Sequence, residues 1–169
     1  MKPGRVLLTE AQIAVRVRAL GAAITKAYRG ERPLFLGVMN GALFFLADLL
    51  RAADLEAEVA TVRLASYRGR ESTGKVRGLA SLRAEVKGRR VLIVDDILDT
   101  GRTLGALQQH LRELGAADVK ICVLLAKRRR RDVAVRADWV GFRIPDRFVV
   151  GYGLDYEGRY RALEAIWAM

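Results

Sequence analysis

Apolar residues recur along this chain at two different spacings, and the alternation between the two is the first indication of architecture. Ile13, Val17, Leu20 and Ile24 fall three to four residues apart, the spacing of one helix face. Thr9 and Gln12 form a capping box at the start of that helix. Leu34 to Val38 is a short apolar run that reads as a strand. Asn40-Gly41 makes a turn, and Ala42 to Ala52 reads as a second helix. From Glu58 to Tyr67 the spacing changes to two: Val59, Thr61, Arg63 and Ala65 alternate with Ala60, Val62 and Leu64. Val91 to Val94 is a buried-strand pattern. Leu104, Leu107, Leu111 and Leu114 follow at helical spacing and are closed by Gly115. Val119 to Ala126 is the next strand, and two short apolar pieces, Trp139 to Phe142 and Phe148 to Tyr152, complete the series. Strands alternating with helices predict an α/β fold: a doubly wound, mostly parallel central sheet flanked by helices.

One stretch breaks the pattern. Arg68 to Arg90 is rich in Gly, Arg, Ser and Lys and has little apolar periodicity. A connection this long within a compact domain is usually functional, often a lid, and a plain surface loop is the competing reading.

Composition narrows the class. With 169 residues, 51% of them hydrophobic, one domain over residues 1–169 can bury a core without disulfide or metal staples. No apolar run approaches the roughly 20 residues that span a bilayer, and Met1 to Gln12 lacks a signal-peptide core. A cytoplasmic soluble protein with no membrane partner is expected. Cys122, the single cysteine, lies in the apolar run Ile121 to Ala126 and reads as a buried, inert thiol. The formal net charge of +11 suits either a nucleic-acid binder or an enzyme for a polyanionic small molecule, and charge alone does not separate them.

The chemistry concentrates in Val-Leu-Ile-Val-Asp-Asp-Ile-Leu-Asp-Thr-Gly-Arg-Thr-Leu, residues Val91 to Leu104. Asp95 and Asp96 stand where the apolar run stops, and Asp99 follows. The carboxyl end of a strand is where open α/β sheets bind ligands. Vicinal carboxylates accept hydrogen bonds from a sugar diol or hold Mg²⁺, directly or through water. Thr100, Gly101, Arg102 and Thr103 bring backbone N–H groups and two hydroxyls to a helix N-terminus, which suits a phosphate monoester. The alternative reading is an acidic turn with Asp99 as a helix cap. The spacing of a Walker A loop is absent, and no Gly-x-Gly-x-x-Gly follows a predicted strand.

The segment from Asp95 to Thr103 resembles the phosphoribosyl-diphosphate motif of the type I phosphoribosyltransferases. Ser66-Tyr67 ahead of the long loop, Lys127 after the next strand, and the ending Asp138 to Asp146 followed by Phe148-Val-Val-Gly-Tyr-Gly-Leu-Asp-Tyr156 resemble the hypoxanthine-guanine members. The likeness runs from about Leu34 to Arg161. It implies a small hood built from the N- and C-terminal segments, a flexible lid over about 68–90, and purine salvage: transfer of the phosphoribosyl group to hypoxanthine or guanine. On the same basis Asp99 is the catalytic base. Asn40, Gly41, Ser66, Tyr67, Asp95, Asp96, Thr100, Gly101, Arg102, Thr103 and Arg161 bind the donor. Lys127 donates to the purine 6-oxo group, Phe148 stacks on the base and Val149 meets its edge through the backbone. Asp155 lies at the purine side and joins Asp95 and Asp96 as a magnesium ligand. Mg²⁺ is the implied cofactor, a homo-oligomer (dimer or tetramer) the implied assembly, and nucleic acid is not an expected partner. One departure stands at Asn40, where the family often carries Lys or Arg; weaker diphosphate retention follows as an expectation. The alternatives are an RNA-binding regulator of pyrimidine operons on the same fold, and a phosphoribosyltransferase for xanthine.

Overall fold

The computed structural model describes residues 3–64, 86–128 and 133–169. The elements follow in the order β1 (Val6–Leu8), α1 (Glu10–Ala27), β2 (Leu34–Met39), α2 (Leu43–Ala52), β3 (Glu58–Arg63), β4 (Arg90–Leu98), α3 (Arg102–Glu113), β5 (Asp118–Lys127), β6 (Trp139–Ile144), β7 (Val149–Val150) and β8 (Ile166–Ala168). A five-stranded sheet has the order β3-β2-β4-β5-β6, and every neighbouring pair in it is parallel. The predicted doubly wound α/β architecture is therefore what the chain adopts.

The apolar runs of the central strands have a direct cause: both sheet faces are covered. In β4, Leu92 and Val94 join the cluster formed with α1 and α2, while Val91 and Ile93 join the cluster formed with α3. All four are fully buried. Thr9 caps α1 as expected, accepting from the Gln12 N–H while the Gln12 side chain accepts from the Thr9 N–H. Ile13, Val17, Leu20 and Ile24 form the buried stripe of α1. The Arg16 guanidinium pins that helix to β6 by donating to the Val140 and Gly141 carbonyls at 2.8 and 2.7 Å. On the other face Leu104, Leu107 and Leu111 of α3 are buried.

A second, three-stranded antiparallel sheet, β1-β8-β7, joins the two ends of the chain. It sits beside the carboxyl edge of the main sheet through the turn Gly151-Tyr152-Gly153. That turn runs through positive φ at all three residues, where the sequence pattern suggested a longer strand. Other boundaries shift too. The strand read as Glu58 to Tyr67 ends its ladder at Arg63, and residues from 65 to 85 lie outside those described. β6 runs two residues past Phe142. At the far end of the long connection Val86 is fully buried in the α3-side core, and Arg89 pairs with Glu58 at 2.7 Å, so residues 86–90 are packed structure. Among the described residues no helix is long and apolar enough to cross a membrane.

Candidate active site

The crevice exists because two neighbours of β4 stop at different places. Pairing of β4 with β2 ends at Val94, opposite Gly37. Pairing with β5 continues through Leu98, opposite Ala126. Residues 95–98 are thus held on one side only, and the β2 edge opens into a pocket of about 340 Å³. Asp95, Asp96, Asp99, Thr100, Gly101 and Thr103 line it, with Val38 and Leu64 opposite. The acidic pair lies inside the strand rather than past its end, since the β5 ladder carries β4 through Leu98.

Asp95 is 7% exposed and is the buried charged residue of the described core. Its carboxylate Oδ1 accepts the Asp96 N–H at 2.9 Å. Burial, reinforced by the charge of Asp96, raises the Asp95 carboxyl well above the usual carboxylate range. Burial also raises Asp96, against which Arg161 acts as a nearby favourable charge. Two adjacent acids in this state hold negative charge poorly by themselves. They call for a cation or for hydroxyl groups that donate to them.

The turn after β2 closes one wall. The Met39–Asn40 peptide is cis. Gly41 packs so tightly on the acid pair that an added Cβ would lie 1.7 Å from Asp96 Oδ2. Behind the turn, a Cβ on Gly153 would lie 2.0 Å from the Gly41 carbonyl oxygen. Only glycines permit this stacking of C-terminal turn, β2 turn and acid pair. Asn40 is exposed, and its Oδ1 accepts from Nη2 of Arg63 at 3.3 Å.

Opposite the turn, α3 begins at Gly101, whose φ of 84° is left-handed. No side chain caps it strongly; Thr100 Oγ1 stands 3.5 Å from the Arg102 N–H. The first N–H groups of the helix therefore face the crevice mouth with partial positive charge.

Lys127 ends β5 with its side chain 11% exposed. Its ammonium bridges two carboxylates, Asp99 at 3.0 Å and Asp146 at 3.2 Å. Asp146 carried no role in the sequence reading. Its signal was the parallel pairing of β5 and β6: Lys127 lies opposite Ile144, which puts Asp146 just beyond the same edge. Phe148 is 46% exposed and meets Tyr156 edge-on at 5.7 Å. Val149 turns its side chain into the core. Asp155 pairs with Arg161 at 2.6 Å and accepts the Gly158 N–H at 2.8 Å; Arg161 also donates to the Gly153 carbonyl.

Of the residues expected from sequence, Asp95, Asp96, Asp99, Thr100, Gly101 and Thr103 line one pocket, with Gly41 against Asp96 and Lys127 against Asp99. Arg102 opens α3 beside them, and Asp155 and Arg161 form a pair whose arginine acts on Asp96. Ser66 and Tyr67 lie outside the described residues. His110, given no role, is a surface residue near Glu113. Burial raises the Cys122 thiol, as expected of an inert core cysteine.

A family model for the phosphoribosyl transferase domain matches residues 6–157. The hypoxanthine-guanine phosphoribosyltransferase of Lactococcus lactis is 44% identical over 160 residues, covering 94% of this chain and 87% of that protein. The bifunctional protein TilS/HprT of Listeria innocua is 44% identical over 163 residues, and this chain spans only 25% of its length. A crystal structure of a hypoxanthine-guanine phosphoribosyltransferase from Bacillus anthracis, with HEPES in its active site, superposes with a TM-score of 0.92 at 35% identity, covering 99% of each chain.

Proposed function

The chain belongs to the phosphoribosyl transferase family, and from that premise we propose that it is a purine-salvage enzyme, transferring the phosphoribosyl group of phosphoribosyl diphosphate to hypoxanthine, guanine or both. The products are IMP or GMP and diphosphate. The observation that carries this reading is the arrangement in one crevice of an acid pair short of counter-charge, a helix start whose N-cap is a glycine, and a largely buried lysine bridging Asp99 and Asp146.

Each group has a part. The 5′-phosphate rests on the start of α3, taking N–H groups of Gly101, Arg102 and Thr103 and the hydroxyls of Thr100 and Thr103. The ribose hydroxyls donate to Asp95 and Asp96. The diphosphate lies against the Asn40-Gly41 turn and Arg161, with Ser66 and Tyr67 opening the segment that closes over it. Lys127 donates to the purine 6-oxo group and would face the 6-amino group of adenine unfavourably, which sets the base preference. Phe148, half exposed, offers its ring face to the base. The Val149 side chain is buried, so its backbone meets the base edge.

As diphosphate leaves, C1′ gains positive charge, and the adjacent carboxylates and water exclusion favour that state. Asp99 takes or shares the purine N7 proton. The buried vicinal pair Asp95 and Asp96 fits Mg²⁺, which ordinarily takes one or two carboxylates and completes its shell with substrate phosphates and water, and Asp155 would be a further ligand. When bound, Mg²⁺ supplies neutralisation of the diphosphate leaving group. Among the described residues no cluster of three or more ligands forms a cage by itself. We further read residues 1–169 as one domain working in the cytoplasm as a dimer or tetramer, which light scattering on the purified protein tests.

The deciding experiment is a coupled spectrophotometric assay of nucleotide formation from hypoxanthine, guanine, xanthine and adenine, with donor and Mg²⁺. Turnover with hypoxanthine or guanine is expected, with adenine inert. Absence of nucleotide from every 6-oxopurine would overturn the reading.

A further inference from the structure

We propose that Arg63, at the carboxyl end of β3, supplies the positive charge for the donor's diphosphate, steadied by the Asn40 side chain. The proposal rests on the phosphoribosyl-transfer reading and adds a diphosphate-binding residue to it.

The placement follows from strand register. β2 and β3 are parallel, and Met39 lies opposite Arg63. Arg63 therefore ends its strand at the same sheet edge, and one residue before the level, of the Asn40-Gly41 turn. Its side chain is exposed and crosses to that turn, where Nη2 donates to Asn40 Oδ1 at 3.3 Å. Gly41, next in the chain, sits against Asp96. The guanidinium thus stands one residue away from the wall of the acidic crevice.

A count of cation commitments gives the reason it matters. Lys127 is held between Asp99 and Asp146. Arg161 is bound to Asp155. Among the described residues Arg63 has Asn40 as its hydrogen-bond partner and no carboxylate within 4 Å. A neutral amide oxygen uses one guanidinium donor and cancels none of its charge; four N–H donors stay available in a rigid fork. An anion with several oxygens on adjacent phosphorus atoms is the ligand that fork matches best. Asn40, read from sequence as the loss of a charge, becomes the bracket for a charge delivered from the neighbouring strand. An arginine or lysine at position 40 would instead repel Arg63.

The test measures binding of Mg²⁺-diphosphate by calorimetry, together with KM values for donor and hypoxanthine, on the full chain. Arg63 is exposed, so Arg63→Gln is expected to fold as the parent does. Loss of a charge-assisted anion contact should weaken diphosphate binding and raise donor KM by about tenfold, with hypoxanthine KM unchanged. Arg63→Lys should recover part of the loss. Asn40→Lys should tighten diphosphate binding in the Arg63→Gln background and do little in the parent. Diphosphate affinity unchanged by Arg63→Gln overturns the proposal and leaves the phosphoribosyl-transfer reading intact. An equal rise in both KM values, or an equal gain from Asn40→Lys in both backgrounds, also overturns it. Charge-dependent diphosphate binding by a protein that makes no nucleotide would support Arg63 and refute the transfer reading.

Discussion

Gly41→Ala is the sharpest test of how the crevice is built. The backbone at Gly41 lies outside the left-handed region, so alanine meets no conformational strain of its own. The added methyl would stand 1.7 Å from Asp96 Oδ2, 2.6 Å from Cγ and 3.2 Å from Oδ1. Ordinary contact requires separations of about 3.5 Å, so one partner must move by about 1.5 Å or more. The turn cannot retreat, because its carbonyl is backed by Gly153, whose N–H is tied to the Arg161 carbonyl at 3.0 Å. The carboxylate of Asp96 is the part that can rotate. An off-rotamer side chain costs about 1 kcal/mol. For a chain of this length that lowers Tm by about 2–4 °C. Function should suffer far more: a misplacement of about 1 Å at a positioning group costs about 10²-fold. The expected result is a fall of about 10²-fold in kcat/KM for the donor in the coupled assay, with a melting temperature only a few degrees lower by calorimetry. A kcat/KM within threefold of the parent would show that the turn does not brace Asp96. A collapse of Tm by tens of degrees would show that the clash is not relieved by side-chain rotation.

Three further outcomes follow from the geometry. Asp99→Asn should lower turnover by about 10²- to 10⁴-fold, the worth of a positioned base, while equilibrium binding of donor is retained; undiminished turnover would remove the assigned role. Lys127→Ala removes the ammonium that Asp99 and Asp146 share; KM for hypoxanthine should rise about tenfold or more and exceed any rise in donor KM, and equal losses would contradict base recognition by this lysine. Leu107→Ala, at a fully buried position of α3 facing the sheet, should cost about 2–5 kcal/mol in denaturant unfolding and leave both KM values near the parent's, because it empties core and not crevice.

Much of this was legible because the sequence states it locally. Caps, apolar stripes and buried runs are written within a few residues of where they act, so α1, the start of β4 and α3 stand where their patterns put them. The acidic segment and the helix start are also contiguous, so Asp95 to Thr103 reads as a site without any tertiary information. What was not legible depends on pairing between strands. That β4 goes on past its acids is decided by the length of β5, twenty-odd residues later in the chain. The Lys127–Asp146 contact follows from the β5–β6 register, and the Arg63–Asn40 contact from the β2–β3 register. Close approach of Gly153 to Gly41 joins residues over a hundred positions apart, which no local pattern encodes. Roles divide in the same way: residues in the acidic segment announce their chemistry, whereas Lys127 alone would pass for one more member of a basic run.

The electrostatics of the crevice explain how a chain of net charge +11 can carry an acidic floor and still favour a polyanion. Asp95 and Asp96 repel a phosphate placed directly on them, and burial raises that cost by weakening solvent screening. The floor therefore selects hydroxyl donors or a cation. On the proposed reading, anionic groups are favoured at two other places: the start of α3 on one side, and the Asn40-Gly41 turn with Arg161 and the proposed Arg63 on the other. A ligand that satisfies all three at once has hydroxyls in its middle and phosphates at both ends. A nucleoside monophosphate lacks the second anionic end, and inorganic diphosphate lacks the hydroxyls. On the reading proposed above, the crevice discriminates the donor from both products by the order of its charges, before any contact with the base is made.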